Sequence, residues 1–158
     1  SLTAHLVLST LHTNDAPSAV TRLTEMGVEP FLLSSSLAAV MAQRLARRLC
    51  KKCKRRDTAT EAELAMLGVA HAPGTPLPTV YRPAGCRECA NTGYSGRVAI
   101  QQVMGVDSRM EDLIARGATS IDLEKAAREQ GMTTLREDGW QKALQGITSV
   151  EEVLRVTV

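Results

Sequence analysis

Four cysteines are the residues whose type and spacing point most directly to chemistry. They form two C-x-x-C pairs, Cys50 with Cys53 and Cys86 with Cys89, with 32 residues between the pairs. One tight turn can place both thiolates of a pair on the same ion, and two such turns complete a tetrahedron. Zn²⁺ suits four thiolate ligands when no redox change is required. The spacing therefore predicts a closed structural zinc site with no coordination position left for catalysis.

Two other chemistries fit isolated C-x-x-C pairs. Redox-active pairs normally begin a helix within a β-α-β unit, whereas here one pair follows a predicted helix and the other precedes the predicted loop Asn91–Gly96. Structural disulfides require an oxidising compartment, and neither a signal sequence nor a secretory context is evident. Zinc is therefore the favoured interpretation.

The composition limits the function classes. The chain has 158 residues, a net charge of +2 and few aromatic residues, which leaves an aliphatic core of the kind found in helices around a buried parallel sheet. Scarce aromatics disfavour single-stranded nucleic-acid binding, which relies on base stacking. No apolar run approaches the roughly 20 residues that span a bilayer. The chain also opens on an apolar run, which indicates a piece of a longer protein.

The first 49 residues read as the end of an α/β domain. The apolar run Leu6–Leu11 predicts a buried strand whose partners lie upstream of Ser1. A helix then starts at Asn14 or Asp15 and ends at Gly27. A longer helix is predicted from about Phe31 to Leu49, because apolar residues recur every four positions in it: Leu33, Leu37, Met41, Leu45 and Leu49.

The remaining residues read as two further parts. Residues 50–92 form a zinc-binding insert with a short helix from the capping box at Thr60 to Gly68, then a proline-rich irregular loop. Residues 93–158 contain a strand over Val98–Met104 and a small helical bundle. Its helices are predicted to start at Asp107 or Ser108, at the segment Thr119–Asp122, and at capping boxes that begin at Thr134 and Thr148. The first three of them are predicted to end at the glycines at positions 117, 131 and 146.

A candidate phosphate-sensing group follows the first predicted strand. Thr10, His12 and Thr13 lie at its carboxyl end and directly precede a helix N-terminus, where ligands of α/β sheets collect. The alternative is that His12 only bonds a neighbouring backbone group. The sequence contains no G-x-x-x-x-G-K-[ST] loop to hold phosphates. Taken alone, it lacks the parts of a working catalyst.

A basic cluster from Arg44 to Arg56 contains eight Lys or Arg among thirteen residues. It is compatible with a solvated surface, with a contact to anionic lipid headgroups, or with nucleic-acid binding.

Several ordered segments resemble the C-terminal half of the secretion ATPase superfamily, the motors of type II secretion and type IV pilus assembly. Residues 2–16 resemble its histidine box, and residues 26–31 and 42–50 resemble the segments that follow it. Residues 85–89 and 93–97 resemble the second zinc knuckle and its Gly-Arg loop, and residues 135–139, 146–148 and 151–153 match its terminal helices. The tetracysteine insert is typical of the assembly and export branch, since retraction motors usually lack it.

The resemblance implies a fold, an activity and partners. The fold would be the end of a RecA-like P-loop ATPase domain with a parallel sheet, then the zinc insert and a small helical domain. ATP with Mg²⁺ would bind the whole protein, where His12 faces the γ-phosphate and Thr10, Thr13 and Arg97 lie near the nucleotide. The resemblance also implies a cytoplasmic homo-hexamer at the bacterial inner membrane that engages inner-membrane platform proteins.

The sequence departs from the family pattern at three positions. Ala4 and Ala99 stand where Gly is usual, and Gln102 occupies a position usually held by Glu. None of these changes replaces a cysteine or His12.

Overall fold

The computed structural model describes residues 5–157. Within this range the chain forms α-helices and β-strands in mixed order, which confirms the predicted α/β composition. The elements are α1 (Ala16–Glu25), α2 (Pro30–Ser36), β1 (Ala39–Leu49), β2 (Arg55–Thr58), α3 (Glu61–Leu67), β3 (Thr79–Arg82), β4 (Tyr94–Gly105), α4 (Ser108–Ala115), α5 (Ser120–Glu129), α6 (Leu135–Leu144) and α7 (Val150–Val156). None of the described helices is long and apolar enough to cross a bilayer.

The strands form two pairs. β1 pairs with β4, and β2 pairs with β3 in an antiparallel ladder that sets Arg55 opposite Arg82 and Thr58 opposite Thr79. Both strands of the second pair lie inside the cysteine-bounded insert, where the sequence had predicted one short helix and irregular chain. Among the described residues, these two pairs do not make the parallel sheet that was predicted.

The chain divides into two compact units, each assembled from non-adjacent segments. One comprises residues 1–42 and 102–133, and the other comprises residues 43–101 and 134–158. In the first unit α2 packs on α4, and α5 packs on both α1 and α4. In the second, α6 packs on α7 and β3, and α3 packs on α6 and α7. The predicted division into three consecutive parts, residues 1–49, 50–92 and 93–158, stays a prediction.

Both units have aliphatic cores. The first buries Ala16, Val20, Met104, Met110, Ile114 and Leu123, and the second buries Leu64, Val80, Ile100, Val150 and Val153. Gly139 lies where α6 packs tightly against α7, since a Cβ there would meet Val153 Cγ1 at 2.6 Å. A larger residue in α6 at this position would separate the two helices.

Local start and stop signals are confirmed at most helices. The side chain of Asp15 accepts from the Ser18 amide at the start of α1. Capping boxes start α3, α5 and α6 at Thr60, Thr119 and Thr134. For α7 the predicted box is wrong by one residue, because Ser149 is the N-cap and accepts from the amide of Glu152.

The predicted helix from Phe31 to Leu49 is wrong. The helix ends at Ser36, and residues 39–49 form β1. A spacing of four residues is two periods of a strand as well as about one turn of a helix, so the pattern cannot separate the two structures. The predicted core face is also wrong in part, since Met41 and Leu45 are 57% and 53% exposed while Ala42 and Ala46 are buried.

The predicted strand Leu6–Leu11 does not form in the structure. Residues 5–13 have no regular secondary structure, and Leu6 and Leu8 are 84% and 88% exposed. A strand requires a hydrogen-bonded neighbour, and nothing in residues 5–157 pairs with this segment. The predicted loop Asn91–Gly96 is wrong in its second half, because β4 begins at Tyr94.

Candidate functional site

The first cysteine knuckle begins where β1 ends. The carbonyl of Cys50 accepts from the amides of Cys53 and Lys54 at 3.3 and 3.0 Å, which closes a tight turn. This turn brings the side chains of Cys50 and Cys53 to the same side of the chain.

The second knuckle is a single 3-10 turn, Arg87–Cys89. The carbonyl of Cys86 accepts from the amides of Cys89 and Asn91 at 3.2 and 2.8 Å. Ala90 and Asn91 then adopt positive φ values of 50° and 60°. This left-handed pair reverses the chain, and the amide of Gly93 then points back toward the sulfur of Cys89.

The four sulfur atoms form one compact group. Sγ of Cys86 lies 3.9 Å from that of Cys50 and 3.7 Å from that of Cys89, and Sγ of Cys53 lies 3.8 Å from that of Cys89. All four sulfurs lie within 4.8 Å of one another. A tetrahedral site with metal–sulfur bonds of about 2.3 Å has sulfur–sulfur edges of about 3.8 Å. The group therefore fits one four-coordinate metal ion.

The electrostatic environment differs among the sulfurs. Burial alone would raise the pKa of Cys89, but the amides of Cys86 and Gly93 both donate to its sulfur at 3.2 Å and bring that pKa down to about 6. Burial raises the pKa of Cys53 to about 11. Cys89 is therefore the sulfur already prepared by the backbone to carry negative charge.

Two glycines allow the knuckles to approach so closely. At Gly93, with φ of +77°, a Cβ would lie 2.4 Å from Cβ of Pro83. At Gly85, with φ of +96°, a Cβ would lie 2.7 Å from the carbonyl oxygen of Asn91. The backbone is crowded at both positions, so only glycine fits.

Backbone contacts join the knuckles to each other and to the turn between α6 and α7. The amide of Cys50 donates to the carbonyl of Gly93 at 2.9 Å. The amide of Leu49 donates to the carbonyl of Ile147 at 2.9 Å. The Nζ of Lys54 donates to the carbonyl of Gly146 at 2.7 Å. Lys54 Nζ also lies 4.6 Å from the ring centroid of Tyr81. The sulfur group thus lies where three chain segments meet.

An ion-pair network that was not predicted from the sequence joins the C-terminal end of strand β1 to helix α7. Glu152 is 1% exposed, and its carboxylate accepts from the guanidinium groups of Arg47 and Arg155 at 2.6 to 2.8 Å. The Arg47 guanidinium also lies 4.1 Å from the ring centroid of Tyr94. Burial would raise the pKa of Glu152, but the two guanidinium groups and the Arg47 amide hold it at about 2.

The residues predicted to contact nucleotide are divided between the two units. Thr10 and His12 lie exposed in the segment of residues 5–13, and Thr13 donates from its hydroxyl to the carbonyl of Asp15 at 3.1 Å. Thr13 also lines an open cleft of about 330 Å³ beside α1. Arg97 is exposed on β4 in the other unit.

Gln102 is a buried polar residue that contacts the start of α1. It is 3% exposed, and its Oε1 accepts from the amide of Ala16, the first residue of α1, at 3.1 Å. Its position in the sequence gave one signal, since Gln101 and Gln102 are the two polar residues of the predicted strand Val98–Met104. Its partner lies 86 residues away, so spacing could not identify the contact.

The structure assigns part of the basic cluster to internal contacts. Arg47 binds Glu152, Lys54 binds Gly146, and Arg56 donates to the hydroxyl of Thr79 at 3.3 Å. Lys51 and Lys52 are exposed. The cluster is therefore partly structural.

Comparison with known proteins finds similarity over nearly the whole chain. The family model described as "Type II/IV secretion system protein" matches residues 1–155. Type II secretion system protein E of Pseudomonas aeruginosa is 52% identical over 157 residues, which cover 99% of this chain and 30% of that protein. Type IV pilus assembly ATPase PilB of Thermus thermophilus is 48% identical over 160 residues, covering 100% of this chain and 18% of that protein.

A third relative shows the same proportions. Type IV pilus assembly ATPase PilB of Myxococcus xanthus is 46% identical over 157 residues, covering 98% of this chain and 27% of that protein. The chain thus spans less than a third of the length of these relatives. Because the family match covers nearly every residue, this chain belongs to the type II/IV secretion system protein family.

Proposed function

We propose that this chain is the zinc-bearing C-terminal part of an ATPase that drives type II secretion or type IV pilus assembly. The observation that carries the proposal is the family match over residues 1–155 together with relatives named as pilus assembly ATPases at 46% and 48% identity. The whole protein would hydrolyse ATP, and the parts that hold its phosphates and Mg²⁺ would lie outside this chain.

In the whole protein the segment Leu6–Leu11 would pair with other strands of a RecA-like parallel sheet. Its exposed apolar side chains support this, because they would be buried by such a sheet. His12 would then reach the γ-phosphate, with Thr10, Thr13 and Arg97 near the nucleotide. Loss of the γ-phosphate would be relayed through Thr13 and Asp15 to α1, since the hydroxyl of Thr13 bonds the residue that caps this helix.

The sulfur group would hold a structural zinc ion through Cys50, Cys53, Cys86 and Cys89. Sulfur–sulfur distances of 3.7 to 3.9 Å support a tetrahedral four-thiolate site. Zinc would hold all four sulfurs as thiolates and would leave no open position for a substrate. Its role would be to fix the insert to the turn between α6 and α7.

The assembly implied by the family is a homo-hexamer in the cytoplasm at the bacterial inner membrane, where platform proteins of the secretion or pilus machine would bind it. ATP hydrolysis would rotate domains of the hexamer and so drive pilin or pseudopilin subunits.

Phosphate release from ATP by the whole protein tests the proposal. Wild-type protein should hydrolyse ATP in the presence of Mg²⁺, and His12→Ala should lower turnover by at least about 100-fold, as expected for loss of a group that contacts the reacting phosphate. His71→Ala is the matched control, because His71 is half-buried in the insert and its ring contacts Thr75 there. A folded wild-type protein that hydrolyses no ATP would contradict the proposal, and unchanged turnover in His12→Ala would remove the role of His12.

The basic cluster does not support a non-enzymatic zinc module that binds nucleic acid or anionic membrane as a second function. Arg47, Lys54 and Arg56 bond groups within the chain. A polyanion would have to compete with the buried carboxylate of Glu152 for Arg47.

A further inference from the structure

Gln102 accepts a hydrogen bond from the first backbone amide of α1, the helix that follows the histidine box. Its side chain lies on β4 and is 3% exposed, and its Oε1 accepts from the Ala16 amide at 3.1 Å. Ala16 is itself 0% exposed, so water does not replace this contact. A buried amide without a partner destabilises the folded state.

With this contact the first three residues of α1 leave no amide without a partner. Helices begin with amides that have no partner inside the helix. In α1, Ala16 donates to Gln102, Pro17 has no N–H, and Ser18 donates to Oδ1 of Asp15 at 2.8 Å. Gln102 therefore supplies, from a distant strand, the acceptor that the local sequence does not provide.

The paired helix start is connected to His12 through two residues. The hydroxyl of Thr13 donates to the carbonyl of Asp15 at 3.1 Å, which ties the residue after His12 to the N-cap of α1. The contacts form a series from Gln102 through Ala16 and Asp15 to Thr13. Residues 5–13 have no regular secondary structure, so the helix start is the nearest fixed point for His12.

We propose that Gln102 is a positioning residue for His12: by holding the first turn of α1 to β4, it orients the histidine-box segment toward the γ-phosphate. This inference rests on the proposed function. Gln102 acts through the backbone and does not itself touch nucleotide. Its effect should therefore be on turnover, because misplacing a reacting group by about 1 Å can cost roughly 100-fold in rate.

Three variants of the whole protein separate positioning from stability. Gln102→Leu removes the acceptor, whereas Gln102→Glu keeps an acceptor and adds a negative charge that suits a helix N-terminus. Gln101→Leu is the matched control, since the Gln101 side chain is exposed on the same strand. We expect Gln102→Leu to lower kcat for ATP about 10-fold or more with a smaller change in KM. Gln102→Glu should retain turnover close to wild type, and Gln101→Leu should not change it.

Two further readouts make the test decisive. Hydrogen exchange should speed up at the Ala16 amide in Gln102→Leu and not in Gln102→Glu. If Gln102 acts through His12, the double variant His12→Ala/Gln102→Leu should turn over no more slowly than His12→Ala.

Unchanged kcat in a folded Gln102→Leu protein, or full additivity in the double variant, would overturn the inference. Loss of turnover in His12→Ala with no loss in Gln102→Leu would overturn the role of Gln102 alone. A wild-type protein without ATP turnover would overturn the proposed function together with the inference that rests on it.

Discussion

Glu152 accepts hydrogen bonds from both the backbone amide and the guanidinium of Arg47, a residue 105 positions earlier in the chain. The carboxylate is 1% exposed, whereas the Arg47 side chain is 51% exposed. The glutamate is thus a buried charge held by arginines that reach it from the surface. The contact ties α7 to the strand that leads into the first cysteine knuckle.

Replacing Glu152 should destabilise the unit formed by residues 43–101 and 134–158. Glu152→Gln keeps the size of the side chain but removes the charge that two guanidinium groups bind, and we expect a loss of about 2 kcal/mol of unfolding free energy. Urea unfolding measures the change. Glu151→Gln is the control, because Glu151 is exposed at the adjacent position. Equal stability of the two variants would mean that the buried network contributes nothing.

The stability contribution of Glu152 should depend on pH. Its pKa falls from an ordinary 4.5 to about 2 in the folded protein, so the unfolded chain binds the proton more readily. The contribution is therefore fully present above about pH 5 and is lost as pH falls from there toward 2.

The stability difference between wild type and Glu152→Gln measures this dependence. It should shrink between pH 6 and pH 3, because the unfolded chain takes up a proton on Glu152 in this range. A difference that stays constant across this range would contradict the low pKa. Glu63 provides a parallel case, since the Arg82 guanidinium holds its pKa at about 2.

Gly93 should tolerate alanine much less well than Gly96. Both residues have φ of +77°, but a Cβ at Gly93 meets Pro83 whereas at Gly96 nothing lies within 4 Å. Gly96→Ala should cost about 1–2 kcal/mol from the left-handed backbone alone. Gly93→Ala should cost more and should weaken metal binding, because its amide donates to the Cys89 sulfur. Thermal unfolding and metal affinity measure both effects, and equal losses would refute the crowding argument.

Removal of metal by a chelator should loosen the turn between α6 and α7 as well as the knuckles. Leu49 and Lys54, which flank the first knuckle, donate to the carbonyls of Ile147 and Gly146. Hydrogen exchange in the metal-free protein should therefore speed up at Leu49 and Cys50, and in the peptide containing residues 144–149. Exchange in α4, which belongs to the other unit, is the internal control. Unchanged exchange at Leu49 would show that metal and turn are independent.

Most helix limits could be predicted from the sequence because their signals are local. Asp15, Thr60, Thr119 and Thr134 each bond an amide within three residues, so spacing alone reveals them. The cysteine group was predictable for the same reason, since each pair closes within one turn.

Contacts between distant residues could not be predicted in this way. Neither the pairing of β1 with β4 nor the contact of Gln102 with Ala16 leaves a periodic trace. Residues 39–49 are rich in Ala, Leu, Arg and Gln, which favour helices, and their pairing with β4 overrides that preference. The two short strands of the insert were missed because each has only four residues, and Arg55–Thr58 contains no large apolar residue.

Zinc content per chain is the measurement that tests the central claim of a four-thiolate metal centre most directly. Elemental analysis of the purified whole protein should find one zinc ion per chain, Cys50→Ser should lower that ratio, and Lys52→Ala within the same knuckle should leave it at one. The wild-type protein should also unfold at a lower temperature after chelation. A wild-type protein that contains no zinc and has the same unfolding temperature with and without chelator would contradict the claim.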